Sequence, residues 1–222
     1  MDVTDAKRGM ERFLNAQAMG QKVYYGPFYS VINIADFADP VTGLLTPQRF
    51  TFFQTARGQV GSGFAQALTP AETSLPAGAN GTLPGGIEFI ANQLGVDLFP
   101  SLPPHLKTFF TEKSFLVQRR LSNEWVCGAV RYWPSAEFGH QSQSVSTTVA
   151  ATTIEYGVNG RVPMRKLPAG GEIYFPAKQI IDFTIETTQP VYVTADGAEG
   201  TPLSEALIAV VLCGWQFEVI TT

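Results

Sequence analysis

Histidine is the side chain best placed for acid–base work near neutral pH, and the sequence holds only His105 and His140. His105 follows Pro103-Pro104, and His140 sits in Gly139-His140-Gln141-Ser142. Neither has a second histidine beside it, and Glu137 is the only carboxylate close to either in sequence. That spacing gives no support to a cupin-like metal site, and both read as surface or loop histidines. Cys127 and Cys213 lie inside the apolar runs Trp125-Val126-Cys127 and Val211-Leu212-Cys213. They read as buried free thiols in preference to a disulfide, and no metal-ligand spacing of cysteines is present. A nucleophile elbow is absent, since Gly61-Ser62-Gly63 lacks the intervening positions. Gly58 to Gly63 is rich in glycine but carries no Gly-Lys-Ser/Thr signature for phosphate. Glu88, Glu112, Glu124 and Glu172 lie near strand patterns, where ordinary edge charges also sit. Asn80-Gly81-Thr82 fits a glycosylation sequon and reads as a turn. Tyr24, Tyr25, Tyr29, Trp125, Tyr132, Trp133 and Trp215 could build a sugar platform, but most fall within strand patterns, where core packing is the commoner use. The residues point to no enzyme, no cofactor and no metal.

Composition points instead to contacts. Of 222 residues, 45% are hydrophobic and only 15% charged, against about 25% charged in an average soluble domain. A surface so poor in charge is covered by Ser, Thr, Gln, Gly and apolar groups, and such surfaces are often buried against other subunits. The formal charge of −4 argues against a chain-wide grip on nucleic acid, which needs clustered Lys and Arg. The start, Met1-Asp2-Val3-Thr4-Asp5, lacks the basic and apolar regions of a signal peptide. The longest apolar stretch, Ala206 to Trp215, is about half of a bilayer span. The expectation is a soluble protein made in a cytoplasm.

Sixteen Phe among 21 Gly and 15 Pro read as strands joined by tight loops. One helix is expected first: Thr4 can cap it, Ala6, Met10, Phe13, Leu14 and Ala18 recur at helical spacing, and Gly20 ends it. Gly9 weakens that pattern. Residues 1–21 thus read as a helical arm, either binding a partner or covering the core of its own domain, and 22–222 as a β domain. Strands are expected at Arg49–Phe53, Lys113–Leu121, Glu124–Trp133, Glu172–Phe175, Ile181–Glu186, Val191–Val193 and Gln216–Ile220. Asn159-Gly160 is the strongest hairpin signal, between Thr152–Val158 and Arg161–Leu167. Leu207 to Cys213 is continuous and apolar, as in a central strand buried on both faces, and Gly214 breaks the run. The Gly-, Ala- and Pro-rich interval from Ala56 to Gly86 reads as long loops. Leu83-Pro84-Gly85-Gly86-Ile87-Glu88-Phe89 echoes Leu167-Pro168-Ala169-Gly170-Gly171-Glu172-Ile173, which reads as similar turn chemistry. The fold class is mostly β: about eight to ten strands in a sandwich, with one early helix.

The order of these features resembles the jelly-roll capsid proteins of tailless icosahedral bacteriophages. The resemblance rests on the aromatic strand Arg49 to Thr55, the Leu83-Pro84-Gly85-Gly86 turn and the strand pair ending Arg131-Tyr132-Trp133-Pro134. It rests further on Leu167-Pro168-Ala169-Gly170 before Gln179-Ile180-Ile181-Asp182-Phe183, and on the closing apolar strand Ile208 to Trp215. It is a pattern of strand order and turns and not a diagnostic motif. It implies two packed four-stranded sheets and trimeric or ring-like capsomers. Copies of the chain and other capsid proteins would be its partners, the virion its location and the host cytoplasm its place of synthesis. It sets neither the presence nor the absence of an internal membrane. The strongly basic arm by which some such proteins hold genome is missing, so direct nucleic-acid contact is not expected. Leu98, Phe99, Phe109 and Phe110 sit in Pro-rich sequence outside the strand patterns and are candidate interface anchors, or plugs for the end of the sandwich. A virion spike or receptor-binding protein and a carbohydrate-binding β-sandwich are the alternatives.

Overall fold

The computed structural model describes residues 3–79, 81–99, 101–120, 123–135, 142–147, 150–155, 164–168 and 171–218. In chain order the elements are α1 (Val3–Ala18), β1 (Val23–Asn33), β2 (Leu44–Leu45), β3 (Arg49–Phe52), β4 (Val60–Gly61), β5 (Phe64–Ala67) and β6 (Ile87–Leu98). Then follow α2 (Pro104–Lys113), β7 (Ser114–Arg120), β8 (Asn123–Ala129), β9 (Pro134–Ser135), β10 (Ser142–Thr147) and β11 (Ala150–Glu155). The chain closes with β12 (Arg165–Lys166), β13 (Ile173–Phe175), β14 (Asp182–Thr187), β15 (Val191–Tyr192) and β16 (Leu207–Glu218). The protein is mostly β, as the aromatic and turn-former content predicts, with antiparallel pairing throughout apart from the short parallel contact of β6 with β9.

Two sheets carry the fold. The first runs β1-β16-β6-β12, with β13 and β9 also pairing with β6, and the second runs β3-β14-β7-β8. Alternation along each strand sends one set of side chains inward. Phe28 and Ile32 of β1, Leu94 and Val96 of β6, and Ile208, Val210 and Leu212 of β16 meet Phe50 and Phe52 of β3, Leu116 of β7, and Phe183 and Ile185 of β14 in one buried cluster. Aromatic rings tie the layers together: Phe28 stacks on Phe53 at 5.7 Å and Phe175 meets Phe183 at 6.5 Å.

The first sheet is also covered outside, which explains why Leu207 to Cys213 is apolar at every position. Val31, Ala209, Val211 and Cys213 pack there with Met164 and Phe64, the latter from the β4–β5 hairpin. Farther along, α1 lies over Ile90, Tyr174 and Phe217. The helix is therefore a cover for its own domain. Its buried face is Ala6, Gly9, Phe13 and Ala16, with Met10 at the margin, whereas Leu14 and Ala18 point outward. That corrects the face expected from spacing alone. Gly9 is the reason for the offset: a Cβ there would lie 2.6 Å from Tyr174 Cγ, so only glycine lets the helix approach this closely.

Gly214 does not break the last strand. β16 continues to Glu218, with a register shift against β6 between Cys213 and Gly214. The described part of the interval 56–86 is loop apart from the short strands β4 and β5, and it is well packed: Leu68, Leu75 and Leu83 are buried, and Arg57 N–H donates to Leu75 O while Leu68 N–H donates to Gln59 O. The two echoing segments are neighbours in space, with Ile173, Tyr174 and Phe175 opposite Ala91, Ile90 and Phe89. β10 and β11 pair antiparallel, with Ser142 opposite Glu155. The hairpin expected at Asn159-Gly160 lies outside the described residues.

Candidate functional site

The best-defined polar cluster joins α1 to the first sheet. Arg12 donates through Nε to Glu88 Oε2 at 2.8 Å and pairs with Glu88 Oε1 through a terminal nitrogen at 2.7 Å. Tyr174 donates its hydroxyl to Glu88 Oε2 at 2.7 Å. Glu88 is only 3% exposed, so its charge depends on these two partners. The hydrogen bond to Glu88 raises the Arg12 pKa, and burial followed by the same carboxylate raises that of Tyr174 well above its ordinary value. This cluster has the marks of a fastening for the helix: the Arg12 and Glu88 charges are matched to each other, and Tyr174 completes the set.

The outer face of the second sheet carries a chain of alternating charge. Glu186 meets Arg49 at 2.7 Å, Arg49 meets Glu124 at 3.6 Å, and Glu124 meets Arg119 at 2.8 Å. Asp182 lies opposite Arg119 in the pairing of β14 with β7. Burial raises the Asp182 pKa, Arg119 opposes that rise and Glu124 adds to it. Although this face is outward, Thr184 and Val117 within it are buried. Thr184 Oγ1, Asp182 Oδ1 and Arg119 Nε are buried atoms that make no hydrogen bond.

No group of three or more His, Cys, Asp and Glu side chains among the described residues could hold a metal ion. His105 lies with Nε2 3.2 Å from Tyr192 O and its ring against Gly197, in a supporting position. His140 lies outside the described residues. Cys127 and Cys213 are both free thiols; Cys213 is buried and Cys127 half-buried, with its pKa raised by burial. Of the candidate platform aromatics, Tyr24, Tyr25 and Tyr132 are exposed. Trp133 is buried, Trp215 is half-buried, and Tyr25 meets Trp215 edge-on at 63°. The Tyr25 hydroxyl is held between Asn92 and Gln93.

Of the four residues expected as interface anchors, three are core. Phe109 and Phe110 stand on α2 and not in a loop, because Pro103-Pro104 starts a helix at its first turn, where the missing N–H is harmless. Phe110 is fully buried, 5.4 Å from Phe109 and 6.2 Å from Phe50. Leu98 is buried at the end of β6, and Phe99, half-buried, packs beside it. Leu98, Phe109 and Phe110 therefore face inward, and Phe99 is partly exposed beside them.

The large apolar groups that do reach solvent are elsewhere. Val126 on the edge strand β8 is 68% exposed, beside a broad depression of about 530 Å³ bordered by Lys113, Phe115, Gly128 and Gln189. Met19, Tyr24 and Tyr25 are exposed where α1 passes into β1, and Val41 at the tip of a turn. Alternation along β8 could have singled out Val126, and Asp39-Pro40 with Gly43 could have marked the turn of Val41, where Asp39 accepts from Val41 N–H and Thr42 N–H. No helix of the described residues is long and apolar enough to cross a membrane. No family model, curated protein or solved structure matches the chain.

Proposed function

We propose that the chain is a jelly-roll capsid protein that assembles with copies of itself into a viral shell. The observation that carries this reading is the pairing order of the eight principal strands. Taken along the chain these are β1, β3, β6, β7, β8, β13, β14 and β16. The first pairs with the last, the second with the seventh, the third with the sixth and the fourth with the fifth. That is one long antiparallel hairpin. Two further pairings, β16 with β6 and β14 with β7, are those produced when such a hairpin wraps around itself. This nested order supports a jelly roll over a simple meander or an immunoglobulin-type sandwich.

The surface supports self-association over catalysis. Charge is sparse, exposed apolar groups stand on an edge strand and at turn tips, and the buried carboxylate of Glu88 is matched by Arg12 and Tyr174. In a closed shell each contact buries a modest patch, and symmetry multiplies it. β8, an edge strand among the described residues, with Val126 exposed on it, is where such a contact fits best. Sedimentation velocity over a concentration series tests this: the protein should form discrete higher-order species, and Val126→Glu should weaken them. A single monomer boundary at every concentration would overturn the reading.

A further inference from the structure

A second cavity, beside the edge strand β1 of the first sheet, has the make-up of a ligand site. It is a partly open cleft of about 200 Å³ where β1, β6 and β16 meet the 56–86 interval. Phe28, Leu83 and Ile87 give it an apolar wall, two prolines narrow it, and Ser74, Gln216 and Arg57 supply its polar groups. Arg57 is fixed in place. Its backbone N–H donates to Leu75 O at 3.1 Å and its Nε donates to the same oxygen at 3.3 Å. No acid among the described residues pairs with it, in contrast to Arg12, Arg49 and Arg119. Ser74 is anchored too, its hydroxyl oxygen accepting from Tyr29 N–H at 3.1 Å.

A guanidinium already ordered by its Nε presents its terminal nitrogens as remaining donors, at little further entropy loss on binding. Beside an apolar wall, such a group selects an anion with a hydrocarbon body, and its paired donors match a carboxylate. A liquid water occupies about 30 Å³, so the cavity holds roughly seven atoms of that size. We propose that this cavity binds a small amphiphilic carboxylate, its chain against Phe28, Leu83 and Ile87 and its headgroup on Arg57, with Gln216 as a further donor.

Pentanoate is the matched probe, and pentanol and pentylamine are its controls. The full chain is titrated with each and followed by NMR at the Arg57 Nε–H and the Gln216 side-chain amide. Pentanoate should give saturable shifts at both groups, and pentanol should bind about tenfold more weakly, the difference expected for a charge-assisted bond. Arg57→Gln should abolish that preference. Gln216→Glu places a competing carboxylate in the cavity and should block pentanoate, and a cooperative melt verifies that each variant is folded. Equal binding of pentanoate and pentanol, no saturable shift, or shifts centred elsewhere would each overturn the proposal. None of these results depends on whether the protein assembles, so this site and the shell reading stand or fall separately.

Discussion

Gly214 and Gly26 sit directly opposite each other in the pairing of β1 with β16, yet they should respond to alanine in opposite ways. A Cβ on Gly214 would fall 1.9 Å from Ile90 O and 2.7 Å from Ala91 Cα, both backbone atoms of the neighbouring strand. An ordinary carbon–oxygen contact is about 3.3 Å, so β16 and β6 would have to part by roughly 1.4 Å. Neighbouring strands lie only about 4.8 Å apart, and a displacement of that size removes the flanking ladder hydrogen bonds. One or two bonds at about 1 kcal/mol each, with the strain of overpacking, give a loss of about 3 kcal/mol. For a chain of this size that is a fall in Tm of roughly 6–12 °C. A Cβ on Gly26 meets nothing within 4 Å, so Gly26→Ala should lie within about 0.5 kcal/mol of the parent. Urea denaturation of the two variants, read as the shift in midpoint at constant m, makes the comparison. Similar effects in both would refute the continuous β16 and the close crossing at Gly214.

Gly9→Ala should destabilise the protein although alanine favours helix by about 1 kcal/mol, because the new Cβ meets the Tyr174 ring; faster amide exchange confined to α1 would register it. Arg12→Ala leaves Glu88 buried beside Tyr174 alone and should cost about 2 kcal/mol, with Trp215 fluorescence changing as Phe13 loosens from it; an unchanged melt would contradict the fastening role. Asp182→Asn should raise stability at neutral pH. The folded pKa of Asp182 is raised by burial, so its contribution is complete below the unfolded carboxylate range and is lost as pH rises through the folded value. The gain should therefore vanish in acid, and a gain independent of pH between 3 and 7 would contradict the assignment.

Much of the sandwich was legible because period-two patterns survive wherever one sheet face is buried. Ile181, Phe183 and Ile185 announce β14, and Ile173 and Phe175 announce β13. The apolar run at Leu207 reads correctly as a central strand, since Met164 and Phe64 of the β4–β5 hairpin cover its second face. Two of the errors share one cause: close approach is invisible in sequence. Gly214 looks like a terminator and is a crossing point, while Gly9 looks like a flaw in α1 and is where the helix touches Tyr174. Phe109 and Phe110 read as loop residues because two prolines precede them, yet Pro104 opens a helix that carries both inward. Arg57 gave no signal at all. Its cavity is assembled from Phe28, Leu83 and Gln216, which are far apart along the chain and meet only through the strand pairing.

The most direct test of the central claim is the mass and shape of the purified full chain, by light scattering followed by negative-stain electron microscopy. Discrete rings, trimers or closed shells whose mass is a multiple of the chain are the result a capsid protein gives. Monodisperse single copies at every concentration and ionic strength would contradict it.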